Sequence, residues 1–136
     1  MKIFIVCSKH FYDKLERVAV LLKDKGHEIT YPNSYDDPFK EERLKAMSKE
    51  EHVKWKRVML KKDKENIEPQ DAILVLNFEK KGIPNYIGGA TFLEIYKAFE
   101  LDKKIFFYNP LPNCSFTDEL KAVDPIIING NLEMVK

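Results

Sequence analysis

The chain has 136 residues and a mass of 16.0 kDa, the size of one domain, with little room for a separate substrate domain. A hydrophobic fraction of 44% supplies a core and argues against wholesale disorder. With 23 Lys+Arg against 22 Asp+Glu the net charge is only +1, which excludes a global pull toward a nucleic-acid polymer or an anionic membrane. Cys7 and Cys114 make no disulfide framework, and His10, His27 and His52 fall in no zinc-binding spacing, so no metal is expected. The longest apolar runs, Ala72 to Leu76 and Pro125 to Ile128, are too short to span a bilayer. The first residues read directly as a strand rather than a signal peptide, and free thiols suit a reducing compartment, so a cytoplasmic location is expected.

Lys2 to Cys7 is an almost continuous apolar run with β-branched residues, the pattern of a strand buried on both faces of a parallel sheet. Phe11, Leu15, Val18, Ala19 and Leu22 follow at helical spacing, and Gly26 stands where a left-handed C-terminal cap is expected. Glu28 to Tyr31 is a second short strand, closed by Pro32. Asp37-Pro38 reads as an N-cap with proline at the first helical position. Ser48 with Glu51 is a capping box, opening a second middle helix that runs to about Asn66. Its periodicity is weak: Val53, Leu60 and Ile67 align, with Trp55 and Met59 beside them. Six basic residues lie between Lys54 and Lys64. They form either a solvated face or a local patch over an anionic ligand.

Asp71 to Asn77 is the clearest strand. After a polar loop, Gly88-Gly89 opens a helix whose Phe92, Ile95, Tyr96 and Phe99 form one stripe, while Ala90, Thr91, Ala98 and Leu101 make the other sides apolar too. Such a helix is expected to be buried, against the sheet on one side and a second helix or subunit on the other. Lys104 to Tyr108 is a fourth strand, Phe116 to Val123 a short helix and Pro125 to Ile128 a fifth strand. The expectation is a single α/β domain over residues 1–136: an open five-stranded parallel sheet between helical layers, flavodoxin- or Rossmann-like.

In such sheets ligands bind at the carboxyl ends of the strands, near the switch in strand order. That rule selects Ser8-Lys9-His10-Phe11, Asn77 and Asn109, together with Gly88, Gly89 and Thr91 at the helix start. Glycine-rich dinucleotide, P-loop and serine-hydrolase elbow motifs are absent. In Asn85 to Ala98, two glycines permit close backbone approach ahead of free helix N–H donors. Glu94 sits between Leu93 and Ile95 in a mostly apolar helix, where a carboxylate is costly to bury unless paired or functional. The helix dipole would favour its ionised form, as a carboxylate nucleophile requires. Asp63 is a second acid, eight residues before Asp71, and a surface charge is its simplest explanation.

The strand followed by S-K-H-F-Y, the Asp63–Asp71 spacing before A-I-L-V, and the E-I-Y-K-A run at Glu94 to Ala98 together resemble the nucleoside 2-deoxyribosyltransferase-like superfamily. That group holds nucleoside deoxyribosyltransferases and deoxynucleoside 5′-monophosphate N-glycosidases. The resemblance is specific from about Asp63 to Pro112 and does not extend to the middle helices. It implies Glu94 as the nucleophile on the anomeric carbon of a (deoxy)nucleoside or nucleotide, forming a glycosyl-enzyme intermediate that water or a second base resolves. It implies that Asp63 orients the sugar or base, that Ser8 to Tyr12 faces the substrate, and that Ser8, Lys9 and the Gly88-Gly89 amides meet any 5′-phosphate. No cofactor is implied. The partner is a small nucleoside or nucleotide, and assembly into a homodimer or higher homo-oligomer is expected of the group.

The chain departs from that pattern. Ala90 stands where the group commonly has glycine, and Gly88 where transferase members carry the aspartate that handles the base proton. The first loop also lacks the glycine of phosphate-accepting members. Two other readings follow: a non-catalytic nucleotide-binding or sensing module on the same fold, and a phosphoribohydrolase of the cytokinin-activating type. G-G-A-T-F-L-E is similar to the motif of that second type, but a residue short and without its leading proline.

Overall fold

The five apolar runs form five short strands: β1 (Lys2–Val6), β2 (Glu28–Thr30), β3 (Ala72–Val75), β4 (Lys104–Phe107) and β5 (Ile126–Ile127). They pair in parallel in the order β2-β1-β3-β4-β5, in a computed structural model that describes all 136 residues. The connecting helices are α1 (Tyr12–Asp24), α2 (Lys40–Met47), α3 (Lys49–Ile67), α4 (Gly89–Glu100) and α5 (Thr117–Ala122). The result is the expected α/β domain with a parallel sheet between helical layers. No helix is long and apolar enough to cross a membrane.

Alternate residues of each central strand point to opposite faces, and both faces are covered. On one side Ile3, Ile5, Leu74 and Phe106 pack with Phe11, Leu15, Val18, Ala19 and Leu22 around α1. On the other, Phe4, Val6, Ile73, Val75 and Phe107 pack against Ile95 and Ala98 of α4, Leu120 of α5 and Ile67 at the end of α3. Gly26 closes α1 at φ 91°, a left-handed conformation that favours glycine.

The chain turns outward in opposite directions from β1 and β3, so the switch in strand order falls between their carboxyl ends. Cys7 and Ser8 leave β1 there, and Phe78 to Ile87 leaves β3. Within that loop Lys80 and Ile83 exchange two backbone hydrogen bonds of 2.9 Å across a tight turn at Lys81-Gly82, both with positive φ (47° and 82°). Glycine meets that demand at no steric cost. The turn brings Lys80 over the Tyr86 ring, 4.5 Å from its centroid.

Two local expectations are corrected. Asp37-Pro38 does not cap α2, which starts at Lys40; Asp37 instead forms a two-pronged ion pair with Arg43 at 3.0 and 2.5 Å. Of the weakly periodic Val53, Leu60 and Ile67, only Ile67 is buried. α4 is not buried all round: Thr91, Ile95 and Ala98 are, but Leu93, Tyr96 and Phe99 lie on an open face. The Ser48–Glu51 cap holds as expected, the Ser48 hydroxyl accepting from the Glu51 N–H at 3.3 Å.

Candidate functional site

A cleft of about 530 Å³ opens over the carboxyl end of β1, bounded by the β1 loop, the start of α4, and α2 with α3. It lies beside the sheet's switch point and has the size of a small-molecule site.

Its floor carries two acids. Glu94 comes from the second turn of α4 and Asp63 from near the end of α3, and both line the cleft. Glu94 keeps some exposure through the cleft mouth, but its carboxyl is enclosed by protein. Burial first, and then the Asp63 charge, push its pKa well above the ordinary carboxyl range, while Lys56 pulls the other way. Asp63 is only 7% exposed, and burial raises its pKa to about 6 against the opposing pull of Lys97 and Lys56. Burial thus opposes the ionised form of Glu94 that the helix dipole was expected to favour. Six residues into α4 the dipole has faded, and desolvation beside a second acid outweighs it. The two carboxyls titrate as a pair. Burial also raises the Cys7 thiol and Tyr12 hydroxyl pKa values, and the Glu94 charge adds to both. These two groups therefore share the floor with it.

The cleft also carries cations: Lys9, His10, Lys45, Lys56 and Lys80 line it, together with the first residues of α4. His10 is held below the usual histidine range by desolvation and by the charges of Lys80, Lys9 and Lys81. Lys9 is paired with Glu42 of α2, whereas Lys80 has only Tyr86 as a partner. At Gly88 a Cβ would stand 3.3 Å from the Tyr86 hydroxyl oxygen, so glycine permits Tyr86 to close down on the helix start. Gly89 faces open space. Thr91 is 4% exposed and lines the cleft.

Of the residues selected from sequence, Ser8, Lys9, His10, Asp63, Gly88, Gly89, Thr91 and Glu94 come together in this cleft. Phe11, Asn77 and Asn109 do not. Phe11 is a core residue, 2% exposed, with its ring edge-on to Phe78 at 5.5 Å. Asn77 is fully buried and clamps the ends of β3 and β4. Its amide donates to the Asn109 and Pro110 carbonyls at 3.0 and 2.9 Å, and its side-chain oxygen accepts from the Asn109 N–H at 2.9 Å. The strand-end rule selects the edge of the sheet where the cleft opens, but it cannot separate residues lining the cleft from those tying the edge together.

The middle helices supply what sequence reasoning missed. Glu41, His52, Trp55, Lys56 and Met59 all line the cleft. One oxygen of Glu41 sits 2.9 Å from His52 Nε2 and 3.1 Å from Lys56 Nζ, tying α2 to α3. Of the basic run, Lys56 enters the cleft. Arg57, Lys61 and Lys64 line a separate outer groove with Lys97. No group of three or more His, Cys, Asp or Glu side chains is arranged to hold a metal ion.

This arrangement sits on a fold seen before. The protein has the fold of a solved N-glycosidase. The CMP N-glycosidase BcmB of Clostridium botulinum matches with a TM-score of 0.52 and 18% sequence identity, over 95% of this chain and 90% of that chain. At that identity the likeness is one of fold. No family model matches the chain, and no curated protein matches it.

Proposed function

We propose that this protein cleaves the N-glycosidic bond of a nucleoside or nucleoside 5′-monophosphate, with Glu94 as nucleophile, as a member of the nucleoside 2-deoxyribosyltransferase-like superfamily over residues 1–136. The observation that carries the reading is the lining of one cleft, which holds Glu94 and Asp63, their carboxyls raised in pKa by burial, together with Lys9, Lys80 and the start of α4. The fold shared with the CMP N-glycosidase supports it.

In this reading the ligand's anionic end lies against Lys80, Ser8 and the free amides of Gly89 and Ala90, and its sugar over Glu94. A Glu94 oxygen attacks the anomeric carbon as the carbon–nitrogen bond breaks. The bonding pair leaves with the base, which takes up a proton, and a glycosyl ester remains on Glu94. Water then hydrolyses the ester, and a second base would instead complete an exchange. Attack needs Glu94 ionised, so the proton held by the pair must pass to Asp63 or to the departing base. Asp63 orients the sugar as the bond breaks, and Lys56 is the counter-charge that eases ionisation of both acids.

The test is chromatographic detection of free base after incubation with a panel of nucleosides and 5′-monophosphates. Release is expected from at least one, with Glu94→Gln lowering it by several orders of magnitude while the fold persists. Equal release by Glu94→Gln would sink the mechanism. Protection from thermal unfolding without any release would favour the sensing reading. The reading also carries a homo-oligomer, supported by the open face of Leu93, Tyr96 and Phe99; light scattering on the purified chain checks it.

A further inference from the structure

Of the 19 residues of α3, only Asp63 and Ile67 are buried, both toward its C-terminal end. Yet the helix has an orderly face. His52, Trp55, Lys56, Met59, Leu60 and Asp63 follow at the i, i+3, i+4, i+7, i+8, i+11 spacing of an amphipathic stripe, and all six line the cleft. A stripe of this kind ordinarily covers a core. Here no protein element fills it, and α2, which packs on α3, buries no residue.

Trp55, the one tryptophan of the chain, is half-buried on this wall. Its flank is fixed. The His52 ring lies nearly parallel to it (28°, centroids 6.2 Å apart), and the Lys56 ammonium is 5.9 Å from its centroid. Both neighbours are held by Glu41. A flat, apolar, pre-positioned ring inside an otherwise charged cavity suits a ligand with a flat heteroaromatic end and a polar remainder.

Trp55 and Met59 stand on the same face of α3 as Asp63, so this wall adjoins the acids. A bicyclic base offers a flat ring there more stacking area than a single ring does. We propose that Trp55 is a specificity-determining stacking wall that selects a bicyclic, purine-type base over a single-ring pyrimidine. The proposal rests on the nucleoside reading of the cleft and deepens it by naming the substrate class.

Steady-state base release from adenosine and cytidine 5′-monophosphates, by the full chain and by its Trp55→Ala and Trp55→Phe variants, tests it. The wild type is expected to prefer the purine substrate. Trp55→Ala should raise KM for the purine roughly 5- to 150-fold, the loss expected for one base–aromatic stack, with kcat and the pyrimidine KM changed far less. Trp55→Phe should restore most of the purine affinity. A pyrimidine preference, or equal KM effects on the two substrates, would overturn the proposal and leave the Glu94 reading untouched. If no substrate releases base, Trp55 fluorescence decides instead. Saturable quenching by adenosine 5′-monophosphate, stronger than by the cytidine nucleotide and absent with ribose 5-phosphate, upholds the proposal although the catalytic reading has failed. Equal or absent quenching overturns it.

Discussion

The sheet and the α2–α3 cap are built on different principles. Every residue of β3, and Ile3 to Val6 of β1, is buried, with covering helices on both faces. In the cap, α2 buries nothing and α3 only its C-terminal residues; Glu42 pairs with Lys9, and Glu41 with His52 and Lys56. The sheet is held by apolar burial, which is strong and insensitive to salt. The cap is held by part-exposed ion pairs worth about 1 kcal/mol or less each. Stability resides in one region, while about a third of the cleft lining belongs to the other. A site closed by a weakly held cap can open to admit a ligand without disturbing the sheet that carries Glu94.

The largest expected effect should fall on the sheet. Phe106→Ala, at a fully buried strand position, is predicted to cost about 3–5 kcal/mol in denaturant unfolding, whereas Val53→Ala on the cap should stay within about 0.5 kcal/mol. Comparable losses at the two sites would break the division. Next comes the clamp: Asn77→Ala strips the Asn109 N–H of its partner and should cost about 1–3 kcal/mol, with little change in KM because Asn77 lies outside the cleft.

An intermediate effect concerns pH. The Asp63 carboxyl titrates at about 6 in the folded chain against 3.8 for an unperturbed aspartate. Between those values the folded state binds more protons at Asp63 than the unfolded one, so this group's contribution to stability is fully present below about 4 and is lost as pH rises through about 6. Glu94 acts in the same direction at higher pH. Asp63→Asn should flatten that slope in thermal melts across the range; an unchanged slope would show that Asp63 is better solvated than its burial implies. The same pair should place the acid limb of kcat/KM at about pH 6 or above, and Lys56→Met, removing the counter-charge, should move it higher still. The smallest effect should come from Glu42→Gln. It should lower global stability by less than about 1 kcal/mol while speeding amide hydrogen exchange in α2, and faster exchange in β1 as well would mean that cap and sheet unfold together.

The legible parts of the chain were those with strong local patterns. The β1 and β3 runs read correctly because strands buried on both faces need uninterrupted apolar sequence. α1 read correctly because its stripe faces a core, and Ser48–Glu51 because a capping box is a local bond. Asp37-Pro38 misled: the carboxylate was engaged by Arg43, six residues on, and that pairing depends on how the loop folds. The cleft-lining face of α3 is not legible as an apolar stripe, because it mixes Trp55 and Met59 with His52, Lys56 and Asp63. A helix face that meets a polar cavity need not be uniformly apolar, so hydrophobic periodicity cannot find it.

What sequence alone determined was the parallel α/β framework, the sheet edge where the cleft opens and Glu94 as an acid set in an apolar helix, since strand burial, helix spacing and a carboxylate among apolar residues are local signals. Only tertiary structure decided that Asp63 and Glu94 line one cleft and that burial, with the Asp63 charge, raises the Glu94 pKa, that Asn77 and Asn109 bind each other, and that Trp55 lines a cavity. Each of those depends on how distant parts of the chain fold together and on how much water remains between them, which no local pattern encodes.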